Sequence, residues 1–276
     1  MPYPLEKLKY GLRQRLRELT TPAETYALQI AAPNMAGLQP IQKVYWVQAV
    51  TLKIDEEGRV QRRLFDGIQP PETSQEKPLF ENCTRFTVKN FKPIHKLSMY
   101  LDDILLTATN LTFQDCVLDT TFVQTLINSV KKPIKWINIY NCRFTDENAA
   151  KMICNSPAFR TLDAFNIEMP MFPGISSWIE AFVEAEITSL QTFNVLKASI
   201  SVFEMNKDIF LKFFKAQCEN FKVFIMMDFD TDVEDVEHLC IDLFGEHFYS
   251  EESEKTVSIS CQDTQFILTL KNPSQT

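Results

Sequence analysis

A strand-like apolar segment followed by a helix-like segment recurs six times in this chain of 276 residues. The apolar residues that begin these segments are Phe86, Leu111, Ile137, Leu162, Leu190 and Phe221. They are separated by 25, 26, 25, 28 and 31 residues, a spacing typical of repeat proteins rather than of enzyme domains. One strand and one helix cannot bury their apolar faces alone, whereas stacked neighbours share a continuous core. The spacing therefore predicts an α/β solenoid, a curved stack of βα repeats.

Two of the segments carry a cysteine at the same place. They read Leu111-Thr-Phe113-Gln-Asp-Cys116-Val-Leu118 and Ile137-Asn-Ile139-Tyr-Asn-Cys142-Arg-Phe144. This pattern resembles the cysteine-bearing leucine-rich repeat, in which a buried strand is followed by a Cys near the turn and then by a helix. The resemblance implies a leucine-rich-repeat-like array of about six to seven irregular repeats. Such an array presents a curved surface that binds other proteins.

Five leucines near the N-terminus recur at intervals of three and four residues: they are Leu5, Leu8, Leu12, Leu16 and Leu19. This spacing predicts an amphipathic helix over about residues 5–19, with leucines on one side and basic residues on the others. Thr21, Pro22 and Glu24 then form the pattern of a capping box, which marks the start of a helix. A second short helix is expected from there toward Pro33.

The same segment resembles an F-box over about residues 3–35. Pro4, Glu6, Leu8 and Leu12 stand where the F-box has a proline, an acid and spaced leucines, and the match continues through Leu19, Pro22, Glu24 and Leu28. The whole chain is similar to the divergent F-box families expanded in nematodes. The resemblance implies docking on an acidic Skp-type adaptor and, through it, on a cullin. The residues implied in adaptor binding are Pro4, Leu5, Leu8, Leu12, Leu16, Leu19 and Leu28.

Two other interpretations of the N-terminal helices stay open at this point. The helices could cover the apolar end of the repeat stack, because the ends of a solenoid need a polar cover. The basic side of the first helix could instead bind RNA or phosphoinositides, although one short basic helix usually marks only a solvated surface. Capping and adaptor docking are partly compatible, since one side of the helix can cap while the other docks.

The charge of the chain argues against nucleic acid as the main partner. Residues 1–68 hold ten Lys and Arg against seven Asp and Glu, a net charge of +3, and the remainder holds 18 against 29, a net of −11. Together they give −8. Nucleic-acid-binding domains are usually basic, with cations gathered on one face. We therefore expect no nucleic-acid partner.

Several sequence features predict a soluble protein of the cytoplasm and/or nucleus. Basic residues interrupt the first apolar positions, so a secretory signal is not expected. No stretch has the roughly 18 consecutive apolar residues of a membrane span. The seven cysteines are odd in number and form no Cys-x-x-Cys pair, which predicts reduced thiols used as small apolar side chains.

The middle and end of the chain suggest additional strands and a loop. Val50 to Ile54 and Val60 to Phe65 flank a turn at Asp55–Gly58, which predicts a hairpin or an irregular first repeat. Residues 69–78 are polar and proline-rich, so we expect a loop prone to disorder. We predict four segments: an F-box-like module at 1–36, a hairpin or first repeat at 37–82, the repeat array at 83–248 and closing strands at 249–276.

Alternation within the strands predicts a partner-binding surface. Counting each repeat from its first apolar residue, the position one residue later is always polar, and the position three residues later lies on the same side of the strand. We therefore expect these positions to line a concave, solvated face whose aromatic end forms a hot spot for a protein partner. The predicted contact residues are Thr112, Gln114, Asn138, Tyr140, Asp163, Phe165, Gln191, Phe193, Lys222 and Phe224. The alternatives are that the later repeats shift in register and bury Phe165, Phe193 and Phe224, or that the C-terminal segment covers them.

Catalysis finds little support in the sequence. The three histidines do not pair with a nucleophile or complete a metal site, and six glycines form no phosphate-binding loop. Asp228 to Asp232 begins like a calcium loop, but Val233 and Leu239 occupy positions that require a glycine and an acid. We expect no enzyme activity, no cofactor and no metal. The sequence favours a non-catalytic substrate receptor of a ubiquitin ligase, and the alternative is a repeat scaffold or inhibitor that sequesters a partner.

Overall fold

The computed structural model describes residues 5–67, 77–249 and 255–270. Within these residues, seven α-helices and a 12-stranded, mostly parallel sheet form a mixed α/β fold. This confirms the predicted fold class at the level of α/β. The proposed loop at 69–78 lies, for residues 69–76, outside the described residues.

Fourteen strands are present in the described part of the chain, twelve in the large sheet and two in a small one. They are β1 (Val44–Ile54), β2 (Val60–Gly67), β3 (Leu79–Lys89), β4 (Ile104–Leu106), β5 (Asn110–Gln114), β6 (Val117–Leu118), β7 (Trp136–Tyr140), β8 (Arg143–Phe144), β9 (Ala164–Glu168), β10 (Thr192–Ala198), β11 (Lys222–Met227), β12 (Phe248–Tyr249), β13 (Thr256–Cys261) and β14 (Thr264–Leu270).

The parallel strands lie beside one another in the order in which the chain makes them. The order across the large sheet is β12-β14-β13-β11-β10-β9-β7-β5-β3-β1-β2, with β4 beside β3. Every pair from β1 through β13 along this path is parallel, while β2, β14 and β12 add antiparallel strands at the two ends. A parallel neighbour requires a crossover connection, which in this chain is mostly a helix. The predicted hairpin at Asp55–Gly58 and the predicted C-terminal strands are both confirmed.

Seven α-helices supply these crossovers and the N-terminal segment. They are α1 (Tyr10–Leu19), α2 (Pro22–Ala31), α3 (Thr120–Ser129), α4 (Ala149–Asn155), α5 (Ile175–Glu184), α6 (Lys207–Ala216) and α7 (Val233–Phe244). Neighbouring helices from α3 to α6 contact each other in chain order. Each helix from α3 to α7 places an apolar side against the sheet because its apolar residues recur every three or four positions.

Aromatic contacts join the helices to one side of the sheet. Phe113 on β5 packs edge-to-face on Phe122 of α3, with ring centres 5.8 Å apart. Further along the sheet, Phe193 on β10 packs on Phe213 of α6 at 5.6 Å. These residues belong to one continuous buried core that extends from β1 to β13. The other side of the sheet is therefore turned away from the helices.

The strands end at similar turns. Asn90, Asp115, Asn141, Met169 and Lys197 follow or terminate successive strands, and each has a positive φ between 49° and 61°. At the first four of these positions the backbone N–H donates to a carbonyl near the end of the next strand, as from Asn90 to Gln114 at 3.0 Å. Asn and Asp tolerate this left-handed conformation better than most residues.

The capping box predicted at the second helix is confirmed. Thr21 Oγ1 accepts a hydrogen bond from the Glu24 N–H at 3.3 Å, and the Thr21 N–H donates to Glu24 Oε2 at 2.8 Å. The predicted first helix consists of two pieces, a 3₁₀ turn at Leu5–Lys7 and then α1. One sheet runs across the last three of the four predicted segments, so it does not separate them from one another. The division of the chain into four segments stays a prediction.

Candidate binding face of the sheet

The side of the sheet that faces away from the helices carries three rows of outward-pointing residues, which we call the open face. The burial pattern alternates along its strands, as in β5, where the outward Asn110, Thr112 and Gln114 are half-buried and the residues between them are buried. The middle row is formed by Thr51, Thr87, Thr112, Asn138, Asn166, Asn194, Phe224 and Ser258. One row lies nearer the strand starts and another nearer the strand ends.

Six of the predicted contact residues lie on the open face. Thr112 and Asn138 are neighbours in the middle row, and Gln114 and Tyr140 are neighbours in the row nearer the strand ends. Phe224 lies further along the middle row, on β11, and is half-buried. For these residues the alternation rule placed the side chain correctly, because β5, β7 and β11 follow it without a break.

Two predicted contact residues are instead part of the core. Phe165 and Phe193 have 0% and 1% of their surface exposed, and their rings stack 5.6 Å apart. In the sheet, Phe165 pairs with Ile137 and Phe193 pairs with Phe165, so both occupy the inward position that Ile137 occupies. The hot-spot interpretation was therefore wrong for these two residues, and the alternative of a register shift is correct.

Asp163 and Gln191 lie before their strands rather than on them. At the start of each strand, the N–H groups of the residue before the strand and of its first residue donate to one carbonyl in the preceding repeat. Those of Asp163 and Ala164 bond to the Lys135 oxygen, and those of Gln191 and Thr192 to the Asp163 oxygen. Asp163 and Gln191 are thus equivalent to Lys135. The prediction that they are equivalent to Asn138 was wrong. Lys222 is exposed at the start of β11, in the row nearest the strand starts.

The error has a simple cause in the sequence. Ile134 and Ile137 are both buried, as are Leu162 and Phe165. The prediction aligned Leu162 with Ile137, whereas the sheet aligns Phe165 with Ile137. When apolar residues stand three apart at the start of a repeat, either of them can be taken for the first inward residue of the strand.

The register in the structure places a ladder of amide side chains along the middle of the open face. The Nδ2 of Asn194 donates to Asn166 Oδ1 at 2.6 Å, and the Nδ2 of Asn166 donates to Asn138 Oδ1 at 2.7 Å. Asn138 Nδ2 in turn donates to Asn110 Oδ1 at 2.9 Å. In each of these pairs, the amide N–H group of one asparagine donates a hydrogen bond to the amide oxygen of an asparagine on the neighbouring strand, about one strand spacing away. The ladder keeps the centre of the open face polar.

Sequence reasoning missed Asn166 and Asn194, although a signal for them exists. Asn138, Asn166 and Asn194 are separated by 28 residues in each case. Aligning the repeats on this asparagine instead of on the first apolar residue would have given the register of β9 and β10. Asn110 was missed because it begins its strand before the first apolar residue.

Two ion pairs flank the ladder. Lys135 Nζ lies 3.2 Å from Asp163 Oδ1 near the strand starts, and Lys197 Nζ lies 2.5 Å from Glu168 Oε1 near the strand ends. The hydrogen bond and charge of Glu168 raise the pKa of the Lys197 ammonium group. Burial and the Glu168 carboxylate raise the pKa of the Tyr140 phenol, so Tyr140 stays a neutral donor at ordinary pH.

A groove of about 620 Å³ crosses the open face at the β1 to β7 end. Its walls come from five strands and are mainly polar. They include Arg85, Lys89, Gln114, Asn138 and Tyr140. This groove therefore gathers uncharged hydrogen-bonding side chains, two cations and the carboxylate of Asp66 into one concave site.

The N-terminal leucines differ in how much of their side-chain surface is exposed. Leu12 and Leu19 are 56% and 69% exposed, and α1 has no buried residue. Leu5, Leu8, Leu16 and Leu28 are half-buried, and Pro4 lies outside the described residues. The leucine row is therefore not packed into the core.

Helix α1 instead turns its basic side toward the chain. Arg17 Nη2 donates to the Pro40 carbonyl at 3.0 Å. Gly37 lies against Arg13, because a Cβ on Gly37 would come within 3.0 Å of Arg13 Cβ. Its φ of +96° also favours glycine. The segment 37–40 thus receives the side of α1 that was expected to face solvent.

Helix α2 is held by one glutamine. Gln29 is buried; its Nε2 donates to the Leu38 and Pro40 carbonyls at 2.5 and 2.9 Å, and its Oε1 accepts from the Gln42 N–H at 2.8 Å. On its other side, α2 lines an apolar groove of about 610 Å³ with residues around β4 and the end of α3.

The acidic loop before α7 caps a helix. Asp232 accepts a hydrogen bond from the Glu234 N–H at 2.8 Å. Among the described residues, no group of three or more His, Cys, Asp or Glu side chains is placed to hold a metal ion. All seven cysteines are unpaired thiols, as predicted, and burial raises the pKa of Cys240 to about 12. Across residues 5–67, 77–249 and 255–270, no helix has the length and apolar character needed to cross a membrane.

Comparison of the chain with models of protein families, with characterised proteins and with solved structures gave no match.

Proposed function

We propose that this chain is a non-catalytic substrate receptor of a cullin ubiquitin ligase. In this proposal the N-terminal helices are an F-box-like module that docks on a Skp-type adaptor. The sheet and its helices form a leucine-rich-repeat-like βα solenoid, and the open face captures the protein to be ubiquitinated. The ligase part of the proposal comes from the resemblance of residues 3–35 to an F-box, and the recognition part comes from the geometry of the sheet.

The observation that carries the proposal is the outward leucine row of α1. A helix that capped the end of the sheet would bury its apolar side, because covering apolar surface is the purpose of a cap. Leu12 and Leu19 instead remain more than half exposed, while Arg17 bonds to the Pro40 carbonyl. Exposed apolar rows of this kind are typical of protein interaction sites. The orientation favours docking over capping.

The arrangement of the sheet supports the recognition half of the proposal. Parallel strands follow each other in chain order from β1 to β13, and the helices cover one side only. Successive repeats therefore present equivalent residues side by side on the open face. Stacked repeats commonly use such an extended surface to bind other proteins.

The test is affinity capture of the full chain from cell extract, followed by mass spectrometry. The parent is compared with Leu8→Asp/Leu12→Asp, which places two carboxylates in the leucine row. We expect a Skp-type adaptor and a cullin with the parent and their loss with the variant, because charged groups in an apolar interface must be desolvated without partners.

Two controls separate docking from folding. Gln14→Asp adds one carboxylate to an exposed position on another side of α1 and should leave adaptor capture unchanged. Leu12→Asp alone alters a residue that is already mostly exposed and should weaken capture without loss of soluble protein. Absence of adaptor and cullin from the parent sample would overturn the ligase proposal and favour the scaffold or inhibitor that sequesters a partner.

A further inference from the structure

Four cations gather on the open face at the β1 to β3 end. Lys53 on β1 and Lys89 on β3 stand directly opposite each other in the register of the two strands. Arg85 lies on β3 opposite Ala49, and Arg63 lies on β2 opposite Thr51. Lys53, Arg63 and Arg85 are exposed and Lys89 is half-buried. We call these four residues the basic cluster.

The basic cluster has no internal counter-charge in the part of the chain that the structure describes. None of its four side chains has a carboxylate within 4.0 Å or a hydrogen bond to another side chain. Other cations near the sheet are paired, as Arg62 is with Asp103 at 2.6 Å and Lys197 is with Glu168. Like charges directly opposite each other destabilise a sheet, so folding does not account for Lys53 beside Lys89.

The groove beside the cluster has the chemistry of a carboxylate-binding site. Arg85 and Lys89 line it together with Gln114, Asn138 and Tyr140, and Asp66 is the acid among the residues around it. Guanidinium and ammonium groups form their strongest hydrogen bonds with carboxylates, and the amide and phenol groups can donate to the remaining oxygens. An anionic ligand would also remove the repulsion between the two lysines.

The net charge of −8 does not prevent an acidic ligand from reaching this end of the sheet. The acidic helix α7 follows β11, which is five strand spacings from β3 and so about 24 Å away. The Debye length at physiological ionic strength is about 8 Å, so exposed charges at that distance are largely screened. The charged residues that line the groove itself are Arg85, Lys89 and Asp66, and Lys53 and Arg63 lie beside it, so the positive charges outnumber the negative one there.

We propose that the groove and the basic cluster bind an extended acidic segment of a protein. This inference rests on the proposed function, because it names the chemistry of the protein that the open face captures. A polypeptide fits better than a nucleic acid, since the four cations of the basic cluster are confined to β1, β2 and β3, and Lys222 on the open face lies apart from them on β11. Beyond Asn138 the middle row continues with uncharged amides and Phe224. A nucleic-acid strand would require cations repeated along its path.

The test measures binding of a short fluorescent polyglutamate peptide to the full chain by anisotropy, at low and at physiological salt. We expect binding that weakens with salt and that falls about tenfold in Arg85→Gln/Lys89→Gln, which removes two charge-assisted contacts. Arg160→Gln/Lys212→Gln removes two exposed cations from the helical side of the molecule and should bind like the parent. A polyglutamine peptide of equal length should not bind.

Three results would overturn the proposal: no polyglutamate binding by the parent, equal binding by Arg85→Gln/Lys89→Gln, or tighter binding of oligouridylate that depends on the same two residues. A thermal melt checks the fold of the variant. Its melting temperature should not fall, because Lys89→Gln removes the repulsion from Lys53. The Leu8→Asp/Leu12→Asp variant should keep peptide binding. A parent chain that binds polyglutamate but captures no adaptor would contradict the ligase proposal alone and leave the acidic ligand supported.

Discussion

The aromatic core under β9 to β11 and the N-terminal helices use their apolar residues in opposite ways. Under the strands, Phe165, Phe182, Phe193 and Phe213 pack against one another with ring centres 5.2 to 6.1 Å apart. In α1, the apolar side is left outside, and no residue of the helix is buried. The helices α5 and α6, which supply Phe182 and Phe213, and the helix α1 all have amphipathic spacing. Only α5 and α6 bury their apolar side against another surface of the chain.

The difference shows which contacts hold each region. The strands and helices of the repeats are held by apolar burial, whose free energy scales with area. The N-terminal helices are attached through polar contacts, chiefly those of Gln29 and Arg17 to the segment around Pro40. Such an attachment fixes the orientation of α1 and α2 while leaving their apolar side available. The two regions should therefore respond differently to the same kind of substitution.

The largest effect is expected in the aromatic core. Phe193→Ala should lower the free energy of unfolding by about 3–5 kcal/mol, because it opens a cavity among Phe165, Phe182 and Phe213. Chemical denaturation monitored by circular dichroism measures the change. The control is Phe224→Ala on the half-buried middle row of the open face, where a much smaller loss is expected. Equal losses at the two positions would contradict the register of β10.

A smaller and local effect is expected at the attachment of the N-terminal helices. Gln29→Ala removes three hydrogen bonds and leaves the Leu38 and Pro40 carbonyls without this donor, at a cost of about 1–3 kcal/mol. Tryptic cleavage at the arginines of α1 should accelerate about tenfold or more, because cleavage follows the population of the opened state.

The unfolding midpoint of the sheet should change little in Gln29→Ala, since the core does not include α2. Gln124→Ala is the matched control, because Gln124 is exposed and its amide donates only to Asn128 in the same helix. A parallel loss of stability in both regions would mean that the helices and the sheet unfold together.

A third effect concerns the asparagine ladder, which lies on the open face rather than in the core. Asn166→Ala removes the acceptor of Asn194 and the donor to Asn138, and should cost about 1 kcal/mol because water can partly replace both. Asn220→Ala, at an exposed loop position, should change the free energy of unfolding by less than about 0.5 kcal/mol. If Asn166→Ala and Asn220→Ala have the same free energy of unfolding, the ladder does not contribute to stability.

How far the sequence predicts these features depends on whether they arise from local or distant residues. Alternation along β5 and β7 and the capping box at Thr21 are local patterns, and both are confirmed. The strand register failed at Phe165 because Leu162 offered an equally apolar start. The pairing of Lys53 with Lys89 could not be predicted, since it depends on a crossover that places β3 beside β1.

The direction in which α1 faces is a second feature that spacing does not determine. Leucines at intervals of three and four identify residues that share a side of a helix, but not what that side contacts. The outcome depends on the segment 37–40, where Gly37 allows Arg13 to approach and Pro40 offers a carbonyl to Arg17. Neither contact leaves a periodic signal in the sequence.

The smallest effect on the free energy of unfolding is expected for a charge placed in the exposed leucine row of α1, in contrast to a charge placed in the core. Leu12→Asp should change the free energy of unfolding by no more than about 0.5 kcal/mol, because Leu12 is already mostly exposed and a carboxylate in the first turn of α1 interacts favourably with the helix dipole. Leu126→Asp, at a buried position of α3, should prevent folding, since an unpaired charge would enter the core. The yield of soluble protein, together with a thermal melt of each variant that is recovered, measures the contrast. A Leu12→Asp protein as unstable as Leu126→Asp would mean that the leucine row is packed inside the chain, and α1 would then be a cap rather than a docking helix.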